Sequence, residues 1–316
     1  MKKVLIFGIS GFVGSYLLKE FINSGYRVIG SDKIKAMMLP KEVEFFEIDL
    51  MQSNDVENLI LKVQPDIIIN LAAISSVGIS WNIPQTTILV NVVGALNIMD
   101  AVRKSGLQVK MLFVGSSEEY AVSDGPMNER TLLDASNPYG ISKVTQEQFA
   151  QLYKERYGLE ICFVRSFNHT GIGQKDSFVL PSFCKQVAEI EKTGKSGKIK
   201  VGNLEVKRDF SHVKDIVRAY RMIVESNNNC NFVYNVGSGT AYSLKDMLDY
   251  VINLSSKKIE IEIDPERFRP TDQNEICCDH ELITRELGWM PEFSVFDALK
   301  EMYEDYLKRG TKVWRE

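Results

Sequence analysis

The sequence predicts an α/β fold, a doubly wound parallel sheet with a smaller, interleaved C-terminal lobe. Short β-rich runs alternate with longer helical patterns through the first half of the chain. Most strand candidates are near-continuously apolar (VLIF, IIINL, MLFV), as parallel strands covered on both faces must be. A cluster of glycines follows the first strand directly and opens the first helix. At 316 residues the chain holds about two domains' worth of core. Its 44% hydrophobic and 25% charged composition excludes disorder or a fibrous repeat as the main state.

Val4–Phe7 reads as the first strand, followed by a helix over Phe12–Ser24. Arg27–Ser31 and Glu44–Ile48 are the next strands, then come a helix over Asn54–Val63 and a fourth strand, Asp66–Leu71. The helical pattern Pro84–Lys104 precedes the strand Lys110–Gly115, and Asn137–Tyr157 precedes Glu160–Arg165. Beyond residue 165 the rhythm loosens. Helices are expected at Phe178–Lys192, Val213–Glu225, Leu244–Asn253 and Val295–Leu307. The last two open with a serine and an aspartate three residues on, Ser243/Asp246 and Ser294/Asp297, the reciprocal capping arrangement. Phe232–Val236 is one more apolar strand, able to return to the main sheet.

Charge narrows the function classes. The sum of 38 basic and 42 acidic residues is −4, which argues against bulk capture of nucleic acid. No apolar stretch approaches the ~18 residues of a membrane span, so no membrane partner is expected. The start, Met1-Lys2-Lys3 then VLIFGI, leads into Gly8-Ile-Ser-Gly11 instead of a small-residue cleavage site, and reads as a strand, not an export signal. Five cysteines (162, 184, 230, 277, 278) without CxxC spacing fit reduced thiols and a cytoplasmic location. The same spacing supports no metal site.

Gly8-Ile-Ser-Gly11-Phe-Val-Gly14 has the place of a phosphate-binding turn, with Ser10, Phe12 and Val13 between the glycines. Glycine there lets backbone amides approach a pyrophosphate at the positive end of a helix. The spacing is GxxGxxG, not the general GxGxxG, and ligand-free strand-to-helix turns can share it. Asp32 stands 18 residues after Gly14, where an acid bonds both ribose hydroxyls and repels a 2′-phosphate. NAD(H) is therefore favoured over NADP(H), with Lys33 and Lys35 able to soften the preference. Asp49-Leu50 closes the third strand, placed to meet an adenine edge. Leu71, Ala72 and Ala73 end the fourth, small residues where a backbone must pass the cofactor.

Tyr139-Gly-Ile-Ser-Lys143 is the most informative stretch. Four residues apart on a helix, Tyr139 and Lys143 share one face, and the ammonium is expected to lower the phenol's pKa. Ser116, in Gly115-Ser-Ser-Glu-Glu-Tyr120, can polarise a carbonyl while the tyrosine moves its proton. A nicotinamide would supply the hydride.

On these strings the chain resembles, over its whole length, the extended short-chain dehydrogenases/reductases that act on nucleotide sugars. The resemblance implies a Rossmann-type fold, a Ser116–Tyr139–Lys143 triad with Asn91 as a structural fourth member, a GDP-sugar as substrate and a homodimer. GSSEEY (115–120), FNHTGIGQ (167–174), VGNLEVKRDF (201–210) and RPTD (269–272) point to the branch of GDP-4-keto-6-deoxymannose reductases and GDP-mannose 4,6-dehydratases. It further implies that Asn168, Arg208 and Arg269 hold the diphosphate and that Leu204 and Glu205 face the guanine. Ser75, Ser117, Val179, Lys185 and Asn203 complete the implied substrate contacts. Residues 1–166, with 211–237 returning, would bind the dinucleotide, and 167–210 with 238–316 the nucleotide sugar.

Two residues stay open. Glu118, two after Ser116, matches the glutamate that removes the C5 proton in dehydratases, yet reductases also carry SSEEY. His169 either reaches the nicotinamide or sugar or packs its own loop. Ala121 and Ile172 depart from a glycine and a proline usual in the family. Pro84–Lys104 and Asn137–Tyr157 are the helices through which family members dimerise, with Ile88, Val92, Leu96, Val144 and Phe149 as apolar candidates.

Overall fold

The computed structural model describes residues 1–35, 39–41, 43–226, 231–268 and 274–309. The expected alternation runs β1 (Lys3–Phe7), α1 (Phe12–Asn23), β2 (Arg27–Asp32), β3 (Glu44–Glu47), α2 (Ser53–Val63) and β4 (Ile67–Asn70). A helical run follows: α3 (Val77–Asn82), α4 (Pro84–Ile88), a π turn (Leu89–Val93) and α5 (Gly94–Ser105). Next come β5 (Lys110–Val114), a 3-10 turn (Ser117–Glu119), α6 (Pro138–Tyr157) and β6 (Ile161–Ser166). The rest of the chain forms β7 (Asn168–Thr170), α7 (Val179–Thr193), β8 (Gly197–Val201), β9 (Lys207–His212), α8 (Val213–Glu225) and β10 (Val233–Val236). It ends with β11 (Ala241–Ser243), α9 (Leu244–Asn253), β12 (Ile259–Ile263), β13 (Glu275–Ile276), α10 (Glu281–Leu287) and α11 (Val295–Lys308).

Seven strands make one sheet in the order β10-β6-β5-β4-β1-β2-β3, every pairing parallel. Period-two alternation sends Val4 and Ile6 to one face, under α1 and α8, and Leu5 and Phe7 to the other, under α2 and α5. That is why these strands read as continuous apolar runs. Strand order reverses between β1 and β4, so a crevice opens at their C-terminal ends, where such sheets bind ligands.

The smaller lobe has its own core, built on α7, α9 and α11. Both expected serine–aspartate capping boxes close there, on α9 and α11. β10 pairs with β6 and α8 packs on α1, so both elements join the main sheet. The return goes further than expected: Ile283 and Trp289 are fully buried in the main-sheet core, and Trp289 Nε1 donates to the Asp215 carbonyl at 3.1 Å. The strands β7, β8, β9, β11, β12 and β13 were not foreseen; β7, β11 and β13 are only two or three residues long, while β8 (GKIKV) and β12 (IEIEI) do alternate and were passed over.

Pro84–Ser105 forms one helical run of 22 residues with mean hydropathy 1.3, so a span-length apolar segment does exist. Half of it is buried within the protein, against α2 and α6, as in a core helix.

Candidate active site

The cofactor turn is built by close backbone approach. Gly8 takes a positive φ of 82°, and a Cβ on it would lie 2.7 Å from the amide nitrogen of Ala72. A Cβ on Gly14 would meet the Ile9 carbonyl oxygen at 2.4 Å. Gly11 caps α1 with no side chain bonded to the first-turn amides, and that turn carries no acid. Uncapped amides at a helix N-terminus fit a pyrophosphate, which would complete what no side chain supplies. Phe12, Val13 and Ser10 ride on this turn, and Ser10 Oγ donates to the Ile34 carbonyl at 2.7 Å.

Asp32 ends β2. Its carboxylate accepts the Ser10 N–H at 3.0 Å and the Lys33 N–H at 2.7 Å, which ties the acid to the glycine turn. Lys33 has a carboxylate partner of its own. Its ammonium pairs with Asp49 at 2.8 Å and holds that carboxyl below the usual range. Leu50 is buried against Gly94. Leu71 N–H donates to the Phe7 carbonyl at 2.9 Å, and Ala72 N–H to Asn70 Oδ1 at 3.1 Å, so Leu71, Ala72 and Ala73 leave the sheet beside Gly8. Ser75 is exposed on the following loop. Asn91, fully buried in the π turn, clamps that loop by bonding Ile74 N–H and carbonyl (2.8 and 3.1 Å) and reaches Ser142 of α6 at 2.9 Å.

Ser116, Tyr139 and Lys143 come together. Asn137 caps α6, accepting the Gly140 N–H at 2.9 Å, with Pro138 at the first position. Tyr139 therefore faces the end of β5. Its hydroxyl lies near the Ser116 side chain, whose Oγ accepts the Glu118 N–H at 3.2 Å. The Lys143 ammonium sits 5.9 Å from the centroid of the Tyr139 ring.

The electrostatics correct one expectation. Tyr139 is pushed well above the ordinary phenol range, first by burial, with Glu119 and Glu118 adding to the rise and Ser116 opposing it. The Lys143 ammonium does not outweigh this rise; it donates to the Val114 carbonyl (2.6 Å) and Gln146 Oε1 (3.2 Å). The tyrosine is thus held as a phenol, a proton donor.

Glu118 is half-buried and accepts from Asn137 Nδ2 at 2.8 Å. Ser117 is buried beneath it. His169 stacks on Phe12, ring centroids 6.3 Å apart, and its Nδ1 bonds the Phe167 carbonyl at 3.0 Å. Burial lowers its pKa and keeps the imidazole neutral. It therefore both packs its loop and lies over the cofactor turn.

The substrate candidates divide. Asn168 on β7 and Arg208 on β9 lie on paired strands, Arg208 buried. Leu204 is buried in the smaller lobe's core instead of facing an open cleft, while Glu205 is exposed. Asn203 Oδ1 accepts the Glu205 N–H at 3.0 Å. Val179 opens α7 half-buried, and Lys185 of that helix pairs with Asp176 at 2.6 Å. Arg269 and the RPTD string lie outside the described residues. Ile172 lends its carbonyl to Tyr16 at 3.0 Å and packs on the smaller lobe's core, a tie between the lobes.

Sequence reasoning passed over Glu119 and Asn137. Glu119 is fully buried, and its Oε1 accepts the Ser116 N–H at 2.6 Å, closing a capping box with that serine. The signal was present as Ser-x-x-Glu over 116–119.

A dinucleotide cradle and a Ser–Tyr–Lys trio at the C-terminal edge of a parallel sheet define a short-chain dehydrogenase/reductase. The chain belongs to the GDP-mannose 4,6-dehydratase family, whose model matches residues 5–302. It is 28% identical over 311 residues to the GDP-6-deoxy-D-mannose reductase of Pseudomonas aeruginosa, covering 98% of each chain. It is also 28% identical over 355 residues to a GDP-mannose 4,6-dehydratase of Vibrio cholerae, covering 98% of this chain and 94% of the relative. The structure of RMD from Pseudomonas aeruginosa complexed with NADPH superposes with a TM-score of 0.87 at 26% identity, covering 98% of this chain and 100% of that one.

Proposed function

We propose that this chain reduces the C4 ketone of a GDP-linked 4-keto-6-deoxyhexose with NAD(P)H, giving GDP-D-rhamnose or a close relative. The observation that carries this reading is the burial of Tyr139 beside Ser116, Glu118 and Glu119, which raises its phenol and favours the protonated form. Buried and flanked by two glutamates, its phenol suits a group that gives a proton instead of taking one. The reductase among its relatives supports the same reading.

When bound, NAD(P)H supplies the hydride that reduces C4. Tyr139 gives its hydroxyl proton to the ketone oxygen as charge develops there. Ser116 donates to the same oxygen, and the Lys143 ammonium steadies the phenolate left behind. Gly8, Gly11 and Gly14 would admit the pyrophosphate, with Asp32 on the adenosine ribose. Asn168, Arg208 and Arg269 would hold the sugar nucleotide's diphosphate, and Glu205 would accept from the guanine. Residues 1–166 and 211–237 form the cofactor half in this reading, with 281–289 added to it. We further propose a cytoplasmic homodimer. The four described cysteines are buried and form no disulfide with one another. Leu89, Ile141 and Leu152 stand 47%, 48% and 57% exposed on the run Pro84–Ser105 and on α6. They replace Val92, which is buried in the protomer, as the apolar contact residues.

A second reading, a redox-neutral 4,6-dehydratase or 4-epimerase with tightly held NAD, rests on Glu118. Its carboxylate is held 2.8 Å from Asn137 Nδ2, two residues from Ser116, where a C5 base would stand. The test is incubation with GDP-4-keto-6-deoxymannose while NADH, then NADPH, is followed. One cofactor oxidised per sugar is expected. No oxidation, with a keto-sugar formed from GDP-mannose instead, gives the assignment to the dehydratase.

A further inference from the structure

We propose that Asn137 is a positioning residue for Glu118: its amide grips one carboxylate oxygen and leaves the other for the sugar, in a fixed relation to Tyr139. The proposal deepens the keto-sugar reading and rests on it for the substrate alone.

One side chain makes two bonds here. Asn137 is 4% exposed and stands at the N-terminus of α6. Its Oδ1 accepts the Gly140 N–H at 2.9 Å, and its Nδ2 donates to Glu118 Oε2 at 2.8 Å. The first bond settles which end of the amide is which, because a backbone N–H only donates. The cap of the helix that carries Tyr139 therefore also aims Nδ2 at Glu118.

The main chain of Glu118 is held as well. Its N–H donates to Ser116 Oγ at 3.2 Å. Its carbonyl is pressed onto the first turn of α6, where a Cβ on Gly140 would lie 2.3 Å from that oxygen. Glycine at 140 is what lets the turn Ser117–Glu119 come this close to the helix. Only the carboxylate's own torsions are left, and Asn137 fixes those. The other oxygen, Oε1, makes no hydrogen bond among the described residues. Neighbouring groups are engaged elsewhere: Glu119 Oε1 accepts the Ser116 N–H at 2.6 Å, and Arg165 donates to both oxygens of Glu147 at 2.5 and 2.8 Å.

Glu118 is half-buried and near enough to Tyr139 for its charge to raise the phenol. A carboxylate that close to the donor for the C4 oxygen meets the ring at a neighbouring carbon, accepting from the C3 hydroxyl or facing the C5 hydrogen. In either role its free oxygen must hold one place, and a fixed partner on the other oxygen supplies that.

The cap can be kept while the grip is removed. Asn137→Ser and Asn137→Asp both retain an oxygen for the Gly140 N–H. Serine falls short of Glu118, and aspartate sets a second carboxylate against it. N137S is expected to unfold thermally like the wild type and to keep its KM for NAD(P)H. Its kcat/KM for GDP-4-keto-6-deoxymannose should fall about tenfold or more, and that of N137D further. In a Glu118→Ala background, N137S should change kcat/KM by less than about twofold. An equal loss in both backgrounds overturns the proposal and leaves Asn137 a helix cap. A wild type inert on the keto-sugar that instead converts GDP-mannose overturns the reductase reading alone, and the same proteins are then read on that substrate. A ligand-free arm uses ¹⁵N-labelled protein and the side-chain amide signal of Asn137, identified by its loss in N137S. Its bonded proton is expected to move upfield in E118A. An unmoved signal in folded E118A overturns the proposal whatever the substrate.

Discussion

The ammonium of Lys143 donates to the carbonyl of Val114 at 2.6 Å, tying the middle of α6 to the last residue of β5 beneath the proposed reacting phenol. The lysine is 3% exposed, and burial holds its pKa near 8, against 10.5 in the open chain. Folding therefore disfavours the charged form. The penalty is full below about pH 8, shrinks as pH rises, and is gone above about 10.5. Lys143→Met should remove it, stabilising the protein at pH 7 by roughly 2–3 kcal/mol while abolishing turnover. Urea unfolding of both proteins at pH 7 and again above pH 10 checks this. A gain that does not shrink at the higher pH would mean that packing, not charge, produced it.

The placement of Tyr139 beside Ser116 makes a sharper claim about chemistry. Tyr139→Phe removes the proton donor yet keeps the ring that α6 packs against β5. Turnover should drop about 10²- to 10⁴-fold, the usual worth of a positioned acid. NAD(P)H affinity, read from nicotinamide fluorescence, should change little. Ser116→Ala leaves the phenol in place and should cost less than the loss of Tyr139.

The main sheet was legible because every strand but β10 precedes residue 167 and is covered on both faces, so its apolar runs carry the fold. Tyr139 and Lys143 were legible because a four-residue spacing survives in any helix. Electrostatics were not: spacing alone places Lys143 beside Tyr139, whereas its ammonium follows the Val114 carbonyl, an acceptor set by the tertiary packing of α6 on β5. The placement of Trp289 on the main-sheet core escaped for the same reason. Its position depends on the Asp215 carbonyl 74 residues earlier, and no local pattern reports that.

Asp32 links cofactor choice to the glycine turn, because its two oxygens accept from Ser10 and Lys33 backbone amides. The fixed carboxylate repels a 2′-phosphate, and Lys33 cannot offset it while paired to Asp49. Asp32→Ser should move the NADPH-to-NADH ratio of kcat/KM upward by about tenfold or more, ~1.4 kcal/mol. A wild-type enzyme already preferring NADPH, with a ratio unmoved in D32S, would show that Asp32 only braces the turn.

Ile141 and Leu152 lie three helical turns apart on one face of α6, with the run that carries Leu89 packed alongside. Three large apolar side chains, about half exposed, make a contiguous stripe costly to leave in water. A second copy related by a two-fold axis would cover the stripe with the same stripe, as an isologous interface requires. Leu152→Glu places a carboxylate on this surface, and a two-fold interface would have to bury one from each copy. At micromolar concentration, light scattering after size exclusion should report about 72 kDa for the wild type, twice the 35.9 kDa chain. L152E should elute as a monomer that keeps its fold and binds NAD(P)H, because Leu152 is 57% exposed on α6 whereas the glycine turn lies between β1 and α1. A wild type that is monomeric at these concentrations would remove the dimer and leave the stripe as a surface for some other partner.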